Sequence, residues 1–236
     1  MKHTIVICGY GPAIADAVAR RFGAEGHPVA LIARNAQRLS DAVASLQADG
    51  IRVQSYVADL GDTAAVSRVM EDIRADMGPV GILHWNAFSD IDGDLLSTAP
   101  EALSQSLAVR VVGYIAAVQA VQPDLEVTRG AVLATSGVMA FYGSDIDSFA
   151  KDFGALAVSV AAQHKATGVL TQTLAQHGVY VGEVVVNGFV KKSAGSVQHE
   201  ASVDPEDVAE QFWQMNAART THSMIFGGKL SFGAAS

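Results

Sequence analysis

Four apolar residues, Ile5-Val6-Ile7-Cys8, run directly into Gly9-Tyr10-Gly11-Pro12-Ala13-Ile14-Ala15, and a helical pattern follows at once. A buried strand, a turn of small residues and a helix, in that order, form the setting that binds nucleotide phosphates. Small residues let backbone N–H groups approach the ligand, and the helix N-terminus adds unpaired donors and a favourable dipole. Gly9 and Gly11 meet the requirement, and Ala13 and Ala15 nearly do. Pro12 supplies no N–H, but it suits a helix start. A tight turn that binds nothing has the same composition, so this feature constrains the fold more firmly than the ligand.

The alternation continues along the chain. Apolar runs at 5–8, 29–33, 53–57, 80–85, 131–135, 180–186 and 223–226 read as strands. Between them, helical patterns span 14–24, 37–48, 62–77, 101–121 and 149–177, the last with a break, and another starts after Asp204. Asp62 is placed to cap its helix, and Gly78-Pro79 to stop it. Thr98-Ala99-Pro100-Glu101 has capping-box spacing, and Asp204-Pro205 pairs an N-cap with a first-turn proline. Alternating strands and helices with tight connections specify a parallel sheet covered on both faces, a doubly wound α/β architecture. The chain's 236 residues suit one such domain, 1–236.

Bulk properties narrow the partners. Half the residues are hydrophobic and 17% are charged, enough for a large core. A net charge of -8 argues against a nucleic-acid partner, which requires a basic surface. The single cysteine, Cys8, excludes an intramolecular disulfide, reads as a buried inert thiol and fits a reducing cytoplasm. There is no signal-peptide pattern, no apolar run near the roughly 20 residues of a membrane span, and no His-x-x-x-His spacing. A cytoplasmic protein without membrane or metal partners is expected.

Several landmarks together resemble the short-chain dehydrogenase/reductase family over essentially the whole length. The glycine turn is similar to the family's glycine motif, with alanines at two small positions. Asp59-Leu60 resembles the acidic pair that contacts the adenine, and Asn86-Ala87 the Asn-Ala of the Asn-Asn-Ala-Gly motif, with Trp85 and Phe88 as the outer residues. Asn187-Gly188-Phe189-Val190 is similar to the segment beside the nicotinamide, and the start at Asp204 to the family's late helix. The resemblance implies a Rossmann-type doubly wound sheet with a cofactor site at Gly9, Gly11, Ala13, Ile14, Arg34, Asn35, Asp59, Leu60, Asn86, Ala87, Gly188 and Val190. Ala33-Arg34-Asn35 ends the second strand without the carboxylate that grips a ribose 2′-hydroxyl. An arginine there can pair with a 2′-phosphate, so NADP(H) is favoured over NAD(H).

The catalytic landmarks diverge. Reductases that this chain resembles use Tyr-x-x-x-Lys, a serine and an asparagine. Here the residues four positions after Tyr10, Tyr56, Tyr114, Tyr142 and Tyr180 are Ile14, Leu60, Val118, Ile146 and Val184. Counting back from Leu174-Ala175 puts Val160 and His164 at the tyrosine and lysine positions; counting forward from strand five puts Phe149 and Phe153 there. Arg110 falls at the asparagine position and Gly137 at the serine position, next to Ser136. The catalytic candidates are therefore Ser136, Tyr142, His164 and Lys165. Their simplest readings are a hydroxyl bonded to local backbone, a loop aromatic, an exposed helical histidine and a solvated lysine. Arg110 could hold an acidic substrate or pair with a carboxylate at a subunit interface.

The helices at 101–121 and 149–177 carry Ala and Val on more than one face, which calls for covering twice. A homodimer or homotetramer through them is expected. The resulting expectation is an NADP(H)-dependent oxidoreductase acting on a small carbonyl or alcohol with atypical catalytic residues. The alternatives are an inactive nucleotide-binding sensor or partner subunit and, with less support, a scaffold.

Overall fold

A computed structural model of the chain describes residues 2–89, 91, 93–193, 196 and 200–228. Seven parallel strands form one sheet: β1 (Thr4–Cys8), β2 (Val29–Ala33), β3 (Val53–Val57), β4 (Val80–Trp85), β5 (Ala131–Gly137), β6 (Tyr180–Asn187) and β7 (Ser223–Gly227). Their order is β3-β2-β1-β4-β5-β6-β7, so the direction of winding reverses between β1 and β4. The two neighbours are joined at Cys8 and Trp85, and the crevice beyond those ends is where open α/β sheets take ligands. Every residue of β1, β4 and β6 is buried, as expected of strands sandwiched between helices.

Helices α1 (Ile14–Ala24), α2 (Ala36–Ala48), α3 (Thr63–Met77), α4 (Pro100–Leu107), α5 (Tyr114–Thr128), α6 (Ser144–Ala150), α7 (Gly154–Ala175) and α8 (Pro205–Ala218) connect the strands. One core lies between the sheet and α1, α2 and α8, around Phe22, Leu46 and Phe212; the other lies on the opposite face around Met70, Trp85 and Tyr114. Asp62 and Asp204 cap α3 and α8 as their spacing predicts. The capping box before α4 does not form: the N-cap is Ala99 and Thr98 Oγ1 donates instead to the Asp94 carbonyl. Local loop bonding wins because Asp94 also accepts from the N–H groups of Leu96 and Ser97.

The long helix extends beyond 121 to Thr128 and is not uniform. Between α4 and α5 the backbone widens into a π-helical turn at Ala108–Gly113. Together the segment Pro100–Thr128 is 29 residues long and apolar enough to cross a membrane, contrary to the absence of such a run expected from the sequence. It lies on the sheet, however, with Tyr114, Ala117, Val118, Val121 and Leu125 buried in the core. The break in the 149–177 pattern is real: α6 ends at Ala150, and Phe153 precedes α7.

Candidate functional site

The glycine turn closes tightly over the crevice. Gly9 has φ +84°, and a Cβ there would lie 2.5 Å from Ala87 Cα and 2.6 Å from Ala87 N. Only glycine permits both the conformation and the approach. Asn86 locks the two loops: its N–H donates to the Cys8 carbonyl, and its Nδ2 donates to the Gly9 carbonyl at 3.2 Å. Gly11 faces open space, where a Cβ would meet nothing within 4 Å among the described residues, and Ala13 at the N-cap of α1 makes no side-chain cap. The first amide donors of α1 therefore remain available to an anion. Ile14 is buried beneath them.

The neighbouring residues are less uniform. Arg34 is exposed, while Asn35 caps α2 by accepting from Arg38 N at 2.9 Å. A cleft of about 470 Å³ opens between α1 and α2, lined among others by Tyr10, Asn35 and Arg38, with Asp16 and Asp41 also on its wall. Asp16 accepts from Tyr10 at 2.8 Å and pairs with Arg20 at 2.8 Å, so its charge is partly balanced. Asp59 lies beyond β3 rather than at its end, accepting from Gly61 N at 2.9 Å, beside buried Leu60. Gly188 has φ +141°, and Val190 bridges to Val203 on the far side of the crevice.

Val160 Cγ2 lies 3.9 Å from where a Gly137 Cβ would stand, so the residue counted at the tyrosine position faces the one counted at the serine position. Phe149 and Phe153 instead stack on one another at 5.2 Å ahead of α7. One turn after Val160, His164 is not the exposed helical histidine expected. Its side chain is 29% exposed, Nδ1 is 2.6 Å from Glu183 Oε2, and its ring meets Phe141 edge-on at 4.8 Å. It turns inward because β6 presents a carboxylate directly beneath α7.

Glu183 is 1% exposed, and burial pushes its carboxyl above the usual range, opposed by the His164 charge and by hydrogen bonds. Ser223 Oγ donates to Oε2 at 3.2 Å, while Oε1 has no hydrogen-bond partner among the described residues. Ser136 is buried at the end of β5. Its Oγ stands near enough to help hold Glu183 down yet falls short of hydrogen-bonding geometry, so it is not satisfied by local backbone as expected. Tyr142 is 93% exposed on its loop and Lys165 points outward, so neither joins this group.

Arg110 lies in the π-helical turn and is buried within the chain. Burial lowers its guanidinium to about 10 despite the nearby Glu183 charge. Nη1 donates to Gln163 Oε1 at 3.1 Å, and Gln163 Nε2 donates to the Thr135 carbonyl at 2.9 Å. Thr135 Oγ1 in turn meets His84 Nε2 at 3.1 Å, and burial depresses that imidazole to about 3. A π-turn is a recurrent feature of functional sites, and here it orients a charged side chain inward. Glu183, Gln163 and Thr135 escaped the sequence reading. The visible signal was the lone carboxylate within the apolar run Tyr180–Asn187.

Comparisons with known proteins agree with this architecture. The family model described as short chain dehydrogenase matches residues 3–201. The chain is 30% identical over 131 residues to 2,3-dihydro-2,3-dihydroxybenzoate dehydrogenase of Bacillus subtilis (strain 168), covering 56% of this chain and 50% of that protein. It is 28% identical over 142 residues to meso-2,3-butanediol dehydrogenase of Serratia marcescens, covering 60% and 56% respectively. The match thus spans about half the length of these curated relatives. Among solved structures, L-sorbose reductase of Gluconobacter frateurii, complexed with NADPH and L-sorbose, superposes with a TM-score of 0.84 at 21% identity, covering 97% of this chain and 96% of that one. A metagenomic short-chain oxidoreductase in complex with NADP gives 0.78 at 20% identity, covering 97% and 98%. The parallel sheet, the glycine turn at its switch point and the extent of the family match make the chain a member of the short-chain dehydrogenase family.

Proposed function

We propose that the protein is an NADP(H)-dependent oxidoreductase acting on a small carbonyl or alcohol, with His164 as its proton-transferring group. The observation that carries the nucleotide half is the glycine turn: Gly9 seated on Ala87 and Gly11 open before an uncapped helix. The exposed Arg34 supports the phosphorylated cofactor, since a guanidinium matches a 2′-phosphate bidentately. Gly9, Gly11, Ala13 and Ile14 would hold the pyrophosphate, Asp59-Leu60 the adenine, and Asn86-Ala87, Gly188 and Val190 the nicotinamide end. The bound nicotinamide supplies or accepts the hydride.

The chain's own residues manage the proton. Glu183 holds His164 through Nδ1, which leaves Nε2 as the nitrogen offered to a substrate oxygen. A neutral imidazole accepts the hydroxyl proton during oxidation; its protonated form returns that proton during reduction. Ser136, beside Glu183, serves as the hydroxyl available to the substrate carbonyl, whereas Tyr142 and Lys165 are peripheral. Half-exposed Val112 and Val169, with Val158 at 37%, support association through the long helices. Burial pushes the Cys8 thiol far up, as suits an inert residue in a reducing cytoplasm.

The test is a fluorescence titration of the purified chain with NADPH and with NADH, followed by NADPH oxidation across a carbonyl panel. Saturable binding that favours NADPH, with turnover lost in His164→Ala, is expected. Binding without turnover would favour the partner-subunit reading, which the apolar Val160 at the tyrosine position supports. Binding of neither nucleotide would overturn the proposal.

A further inference from the structure

Arg110 carries a charge that the described fold does not neutralise locally. The residue is 7% exposed, and its Nε has no hydrogen-bond partner among the described residues. Nη1 donates to the neutral amide of Gln163, whose orientation is fixed by donation to Thr135. Glu183 is near enough for its charge to be felt, but His164 and Ser223 both engage its Oε2 and neither of its oxygens hydrogen-bonds Arg110 among the described residues. A cation taken out of water and met by a neutral acceptor is a poor exchange for folding. A ligand can bring the missing counter-charge.

The surroundings indicate what that ligand carries. The guanidinium carbon lies 5.5 Å from the centre of the Phe88 ring, which is half exposed just beyond the end of β4. Phe141, just beyond β5, lies against His164. A guanidinium with an unpartnered Nε beside the half-exposed Phe88 ring suits a planar anion attached to an apolar body. We propose that Arg110 receives a carboxylate of the substrate, which makes the substrate an apolar oxo acid or the corresponding hydroxy acid. That this ligand is a substrate rests on the oxidoreductase reading; the carboxylate site itself does not.

Benzoylformate and its methyl ester share an aromatic oxo-acyl body, and only the first is charged. Calorimetric titration of the full chain without nucleotide should show the acid binding at least tenfold more tightly, on the order of a single charge-assisted contact. Arg110→Met should abolish the difference, and Arg110→Lys should keep part of it. Equal affinity for acid and ester, no binding of the acid in the millimolar range, or a preference that survives Arg110→Met would overturn the proposal. The melting temperature of ligand-free Arg110→Met gives a second readout. An unchanged or raised value is expected because an unpaired buried charge is removed, whereas a marked drop would make Arg110 a structural partner of Glu183 and refute its role as a receptor. A chain that discriminates acid from ester but binds neither NADPH nor NADH keeps this inference and loses the oxidoreductase reading. One that binds NADPH without discriminating does the reverse.

Discussion

Replacing Gly9 and Gly11 separately by alanine distinguishes closure of the turn from space for the ligand. At Gly9 the new methyl would stand 2.5 Å from Ala87 Cα, and the backbone sits at φ +84°. The left-handed conformation costs an L-residue about 1–2 kcal/mol. Overpacking against a fixed backbone adds about 1–3 kcal/mol. Ala87 cannot yield easily, because Asn86 ties its loop to Cys8 and Gly9. Gly9→Ala should therefore lose about 2–5 kcal/mol, a fall in melting temperature of roughly 4–20 °C for a chain of this size. At Gly11 an added Cβ would meet nothing within 4 Å among the described residues and φ is ordinary, so Gly11→Ala should leave the melting temperature within about 2 °C. The Gly11 methyl nevertheless enters the space through which a pyrophosphate must approach. NADPH affinity should fall at least tenfold in a protein that folds normally. Differential scanning calorimetry and a fluorescence titration on both variants suffice. A Gly9→Ala protein as stable as the parent would refute the packing argument; undiminished NADPH affinity in Gly11→Ala would mean that the nucleotide lies elsewhere.

Other perturbations probe other parts of the fold. Arg34→Ala should weaken NADPH by about tenfold to a hundredfold, the range for one charged hydrogen-bonded contact, while leaving NADH unchanged; equal losses for both would exclude a 2′-phosphate role. His84 is held neutral by complete burial, with its pKa lowered to about 3. The unfolded imidazole takes up a proton near pH 6.5 and the folded one does not, so stability is full above 6.5 and declines as pH falls toward 3. Urea denaturation should show roughly 2–3 kcal/mol of this loss between pH 7 and 4.5, absent in His84→Gln; identical pH dependence in both proteins would assign the loss to other groups. A Cβ on Gly113 would strike the Leu60 carbonyl oxygen, so Gly113→Ala should open the junction between the π-turn and the loop after β3, seen as faster amide exchange at 58–61. Asp62→Ala removes a side chain that accepts from Ala64 N and Ala65 N and should cost about 1 kcal/mol.

Local pattern was enough for much of the molecule. Period and punctuation placed every strand to within two residues, because β1, β4 and β6 are continuous apolar runs bounded by glycine or polar turns. The glycine turn was legible for the same reason: Gly9 and Gly11 act through backbone conformation and missing bulk, which a sequence states outright. Elements depending on competition between neighbours were less readable. Thr98 had the spacing of a cap but found Asp94 closer, and the break between α6 and α7 was visible without its position.

The site below α7 belonged to tertiary structure alone. The sequence by itself determined a parallel doubly wound sheet, the glycine turn after its first strand and the absence of Tyr-x-x-x-Lys. It could not say that His164 would meet Glu183, 19 positions away, or that Arg110 would reach Gln163 across 53 positions. Those pairings depend on how α7 and the π-turn rotate over β5 and β6, and many side chains acting together set that rotation. A residue's period reveals which face of a helix is buried, but the charge opposite it comes from another part of the chain. Only the folded packing brings a lone glutamate in an apolar strand to His164 and within reach of the charge on an arginine in a widened helix.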